Sequence, residues 1–139
     1  MKIILGINTY HADSSACIIV NGKLIAAIEE ERINRKKHFS GYPIESIREC
    51  LRIANKRDTE ITDIAFNTKP SSNLFAKGAF FLKNFSYDKN SLSERFKKKI
   101  NVKKLLFKNF TLNTNAKFHY IEHHLAHIAS AFYPSGFKD

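Results

Sequence analysis

Three histidines fall within five residues in the stretch Ile121-Glu122-His123-His124-Leu125-Ala126-His127. His123 and His127 are four apart, so on a helix they project from one face a single turn apart, the geometry two imidazoles need to share a metal ion. Leu125, Ile128, Ala129 and Phe132 gather on the opposite side of the same wheel. That division predicts an apolar face docked on a sheet and two histidines turned into a cleft at a strand end. Two ligands do not complete a site, so a carboxylate, water or phosphate oxygen must come from elsewhere. The pattern is not the metalloprotease HExxH, because a histidine follows His123 and no helix-borne glutamate base is present. The competing explanation is a set of core or solvated histidines at a strand-to-helix junction; three of them beside a strand end favour a metal or catalytic site.

A second cluster is Asn8-Thr9-Tyr10-His11-Ala12-Asp13-Ser14-Ser15, where a histidine, an aspartate and several hydroxyls crowd one turn. His11 and Asp13 could there contact a phosphate, a substrate hydroxyl or a metal-bound water. The alternative is a plain polar turn closed by Asx-type bonds. A third cluster runs from Glu29 to His38, acidic at first and then basic through Arg32, Arg35, Lys36 and Lys37. Cations after a strand end bind phosphate or carboxylate groups, and the alternative is a solvated charge run.

The elements that must position these residues are legible from periodicity. Residues 2–8 form an apolar run of the length of a doubly buried strand. Residues 15–20 and 23–31 flank Asn21-Gly22, a strong hairpin signal, and so pair antiparallel. Pro43 suits a first helical position, and Ile44, Ile47, Leu51 and Ala54 draw one stripe along a helix over 43–56. Residues 61–68 and 117–123 are β-rich, and the latter opens the histidine helix. Three sequential strands, then a helix and further strands joined by right-handed crossovers, predict an α/β mixed sheet of ribonuclease-H-like type, the half-domain of the actin-like ATPase superfamily. Only part of such a lobe is expected, interrupted by a basic helical insertion over 69–113, where a loop of that length is functional or contacts another body.

Composition bounds the rest. The 139 residues, 43% apolar and 26% charged, make one folded domain. The formal charge is +10, but eleven lysines and arginines face only two acids within 69–113, leaving the remainder near neutrality. No apolar run has the length of a membrane span and no secretory signal is seen, so a cytoplasmic protein with no membrane partner is expected. Cys17 and Cys50 lack metal-ligand spacing and are expected to be free thiols.

Together, LGINTYHADSSACIIVNGKLIAAIEEERINRKKH and IEHHLAHIASAFYPSGF resemble the N-terminal part of carbamoyltransferases of the nodulation-protein NodU type. The resemblance covers residues 1–68 and 116–137, and the 69–113 segment carries no matching motif. It implies that His123 and His127 bind an iron-like divalent metal. It also implies that His11 and Lys37 lie near the carbamoyl donor or acceptor, His11 as the catalytic base and Lys37 binding substrate; Asp13, in the same turn as His11, is a further candidate for substrate binding. The chemistry implied is ATP-dependent: carbamoyl phosphate and ATP give carbamoyladenylate in a YrdC-like domain, and the metal domain passes the carbamoyl group to a hydroxyl of a small natural product. Family members continue for several times this length, so the third metal ligand (an aspartate), the C-terminal lobe and the YrdC-like domain are expected elsewhere, in the same chain or a separate one.

A second reading takes the Lys- and Phe-rich segment as a nucleic-acid binding module, aromatics stacking on bases and lysines neutralising phosphates. Against it, many of those Phe are spaced like buried helix faces, and nucleic acid is not the expected partner. A third reading keeps the fold as an assembly domain without the chemistry.

Overall fold

In the computed structural model, residues 1–10, 12–67 and 102–136 are described. Their architecture is a five-stranded mixed sheet of order β3-β2-β1-β4-β5. β1 (Ile3–Asn8) pairs antiparallel with β2 (Ser15–Val20), which pairs antiparallel with β3 (Lys23–Glu29). Asn21 and Gly22 both take positive φ, 49° and 83°, the backbone a tight right-twisted hairpin requires. β3 runs straight into a short helix, α1 (Glu30–Asn34), where the sequence pattern predicts continued strand. The polar run Glu30-Glu31-Arg32 carries no stripe that would have marked this helix.

α2 (Ile44–Ile53) buries Ile47, Cys50 and Leu51, three positions of one face. β4 (Asp63–Phe66) then pairs parallel with β1, so the chain crosses over rather than turning back. α3 (Val102–Asn109) precedes β5 (Lys117–Tyr120), which adds parallel to β4. Last comes α4 (His123–Phe132), closed by a 3-10 turn at Tyr133–Ser135.

One face of the sheet carries the core. Ile3, Leu5 and Ile7 of β1, Ala16 and Ile18 of β2, and Ile64 and Phe66 of β4 join Ile47 and Cys50 of α2 and Val102 and Leu106 of α3. Each such aliphatic side chain taken from water contributes about 1.5–3 kcal/mol. The 69–113 segment therefore ends inside the core, through Val102, Leu106, Phe110 and Leu112; its part up to residue 101 lies outside the described residues. Lys103 stretches its ammonium over the Phe118 ring at 4.2 Å, so a lysine-rich helix still seals the sheet edge.

The opposite face is lined by small side chains. The β1–β2, β2–β3 and β1–β4 registers put Gly6 opposite Cys17, Cys17 opposite Ala27, and Gly6 opposite Ala65. A Cβ on Gly6 would stand 2.6 Å from the Cys17 sulfur, so the close approach demands glycine. This row floors an open groove of about 610 Å³. Both cysteines are free, and burial pushes the Cys50 thiol up to about 12. No helix among the described residues is long and apolar enough to cross a membrane.

Candidate functional site

The parallel pairing of β1 with β4 aligns Ile7 with Phe66, so the strands deliver Asn8 and Asn67 side by side at their carboxyl ends. The Asn67 carboxamide donates to Asn8 Oδ1 at 2.6 Å, and Asn8 Nδ2 donates to the Asp13 carbonyl at 3.1 Å. β5 continues the layer: the Ile121 amide donates to the Phe66 carbonyl, and one residue later the chain turns into α4. Glu122 is the N-cap, its carboxylate accepting from the Leu125 amide at 3.0 Å. The bonds from the Leu125 and His124 amides hold its carboxyl below the usual range. A carboxylate among orphan amides of the first turn fixes where the helix begins, and His123 is its first residue.

His123 and His127 present their Nε2 nitrogens to each other at 3.0 Å, with the rings edge to face. They line a hollow of about 360 Å³ together with Asn8, Ala12, Asn67, Ala126 and Ser130. Ala12 belongs to the β1–β2 turn, and Asn8, Asn67 and Ala126 also border the groove along the open sheet face. His124 is exposed, edge-on to His123.

Of the docking predicted for α4, the histidines do line a hollow at the strand ends, but the apolar face is not on the sheet. No residue of α4 is buried, and Leu125, Ile128 and Phe132 are 57%, 65% and 43% exposed. The histidine face turns toward the strand ends and the apolar face turns out. A helical wheel separates two faces; it does not say which one meets the sheet.

His11 lies outside the described residues. The turn around it is stitched to the segment after α1: Tyr10 and Ser14 amides donate to the Gly41 and Phe39 carbonyls. The buried Ser14 hydroxyl accepts from the Gly41 amide at 3.1 Å. Asp13, at φ 62°, faces His38 Nδ1 at 3.2 Å, and the His38 amide donates to Glu31 Oε2. Asp13, Glu31 and His38 thus form an exposed to half-buried trio. Lys37 is exposed, and neither Lys37 nor Asp13 lines the histidine hollow.

Several residues carry roles that the sequence pattern conceals. Glu30, in the middle of the acidic run, is only 3% exposed, and its carboxylate accepts the Glu45 and Ser46 amides at 3.2 and 2.7 Å, capping α2. Asp63 meets His119 Nε2 at 2.8 Å across β4 and β5. Asn67 had one available signal: the first strand ends in Asn and the fourth is followed by Asn, as LGIN and IAFN.

Comparisons with known proteins agree with this architecture. The family profile described as Carbamoyltransferase N-terminus matches residues 3–139. The uncharacterized protein sll1178 of Synechocystis sp. is 33% identical over 100% of this chain and 24% of its own length. The nodulation protein NolNO of Sinorhizobium fredii is also 33% identical, over 94% of this chain and 19% of its own. The chain thus spans about a fifth to a quarter of these relatives. Among solved structures, YeaZ from Pseudomonas aeruginosa superposes with a TM-score of 0.50 at 15% identity, over 96% of this chain and 50% of that one; the two share the ribonuclease-H-like, actin-like fold. With the family profile running across nearly every residue, the chain belongs to the carbamoyltransferases, as their N-terminal domain.

Proposed function

We propose that this domain is the acceptor-side lobe of an ATP-dependent O-carbamoyltransferase, receiving the carbamoyl group of carbamoyladenylate and passing it to a hydroxyl of a small natural product. The observation that carries the reading is the pair of facing imidazole nitrogens, 3.0 Å apart, in a hollow at the carboxyl ends of β1 and β4, where open α/β sheets bind their ligands. The donor set fits a divalent ion. Two Nε2 atoms at that separation both reach one centre at the ~2.0–2.1 Å of a metal–imidazole bond, and imidazole suits iron and zinc. Among the described residues no third His, Cys, Asp or Glu completes a set with this pair. In this proposal an aspartate of the C-terminal lobe does so, and a YrdC-like domain makes carbamoyladenylate from ATP and carbamoyl phosphate.

A bound divalent ion would supply Lewis acidity toward the carbamoyl carbonyl. The chain's own residues do the remainder. His123 and His127 must offer neutral nitrogens, so protons compete with the metal for them. His11, one residue from Ala12 in the hollow's wall, takes the acceptor hydroxyl proton. Lys37 and Asp13 reach the donor or acceptor only in the assembled enzyme.

The test is metal titration of the purified chain with Fe(II) under anaerobic conditions, and with Zn(II). Near-stoichiometric binding is expected, weakened at least about tenfold in His123→Ala and abolished in the double variant with His127→Ala. Unchanged binding in the double variant would sink the assignment. The chain alone is expected to transfer no label from carbamoyl phosphate to hydroxyl acceptors.

A further inference from the structure

We infer that Asn8 and Asn67 form the subsite that reads the carbamoyl group itself, an inference that rests on the carbamoyl-transfer reading above. The two carboxamides are neighbours only because β1 and β4 run parallel in register, and they are already joined by a 2.6 Å hydrogen bond. Both border the hollow lined by His123 and His127. The other lining residues are Ala12, Ala126 and Ser130, and the Ser130 hydroxyl donates back to the His127 carbonyl at 2.8 Å. Among the described residues no Lys, Arg, Asp or Glu lines the hollow, so beside the imidazole pair its described walls suit a neutral polar group.

A carbamoyl group presents one carbonyl acceptor and two N–H donors in a plane, the same edge as an asparagine side chain. The Asn8 carboxamide accepts from Asn67 and donates to the Asp13 carbonyl, and a carbamoyl group takes part in the same two kinds of N–H···O bond. An acetyl group of the same size puts a methyl where the carbamoyl has its NH₂. It would leave an asparagine oxygen facing carbon inside a half-enclosed wall, and an acceptor denied its donor there is costly. Sites that hydrogen-bond a substrate NH reject the analogue lacking it. The pair thus assigns selectivity for carbamoyl over acyl donors to this domain, apart from any contact to phosphate or nucleotide.

Carbamoyl phosphate and acetyl phosphate share the phosphate and differ in NH₂ against CH₃, so their affinity ratio isolates the subsite. Calorimetric titration of the metal-loaded chain is expected to give at least about a tenfold preference for carbamoyl phosphate. Asn67→Leu, close in volume, is expected to bring the ratio within about twofold by weakening carbamoyl phosphate alone. Metal affinity should be the same in Asn67→Leu as in the wild type, which separates this test from that of the imidazole pair. Equal affinity for the two phosphates in the wild-type chain, binding of neither, or an undiminished preference in a folded Asn67 variant would overturn the inference. Each of these would leave the asparagine pair a tie between two strands.

Discussion

The Glu30 carboxylate spans the two backbone amides that open α2, Glu45 and Ser46, from a position almost sealed from water. Replacing it with alanine strands two donors at a buried helix N-terminus, and a loss of about 1–3 kcal/mol is expected in urea denaturation. Glu30→Gln, which keeps one acceptor oxygen, should recover part of it; equal losses would show that the charge rather than the geometry matters. Asp63 makes a different prediction. The His119 imidazole, and then the Thr62 hydroxyl, hold its carboxyl below the ordinary value. A depressed carboxyl contributes stability that is full above the unfolded-state value of about 3.9 and disappears as pH falls toward the folded one. The Tm of the wild type should therefore fall more steeply below about pH 4 than that of Asp63→Asn, and parallel curves would contradict the ion pair. Neither role is visible in sequence. Glu30 sits among acids that read as a solvated run, and the Asp63–His119 contact exists only once β5 lies beside β4.

The elements themselves were mostly legible, and for physical reasons. Asn21-Gly22 has few backbone solutions between two apolar runs, and the Ile44, Ile47, Leu51 stripe permits one helix face. What pattern could not show was contact across the sheet, of which Gly6 is the example: its need for a missing side chain comes from Cys17 on the neighbouring strand, packed 2.6 Å from where a Cβ would stand. Gly6→Ala is expected to cost about 1–3 kcal/mol through overpacking. Because the conflict is with one sulfur, Cys17→Ala in the same chain should restore most of the loss. A double-mutant cycle by chemical denaturation reads this as a coupling energy, and additive effects would mean that the strain lies in the backbone. The lysine-rich segment shows the converse limit. Val102 and Leu106 lie four apart among lysines, and their burial came from α3 meeting the sheet, which charge counting along the chain does not register.

At the scale of the molecule, the orientation of α4 decides whether the candidate site exists. The helix has a histidine face and an apolar face on opposite sides, so only one can meet the strand ends, and the structure turns His123, Ala126, His127 and Ser130 inward. The motif itself was legible in the sequence, because imidazoles four residues apart share a face in any helix. The exposure of the apolar face was not, because the energy that favours burying Leu125, Ile128 and Phe132 depends on a surface to receive them, and the core face of the sheet is already covered by α2 and α3. Exposure makes the direction measurable. If these three side chains lie in water, Leu125→Ser, Ile128→Ser and Phe132→Ser each change the unfolding free energy of this chain by under about 0.5 kcal/mol. Ile64→Ala and Ile47→Ala, in the core, should cost about 2–5 kcal/mol. Loss of more than about 1.5 kcal/mol at two of the three α4 positions, with the m-value unchanged, would mean that the apolar stripe packs in solution. The helix would then have rolled by about half a turn, carrying both imidazoles out of the hollow and removing the geometry on which the proposed metal binding and carbamoyl recognition rest.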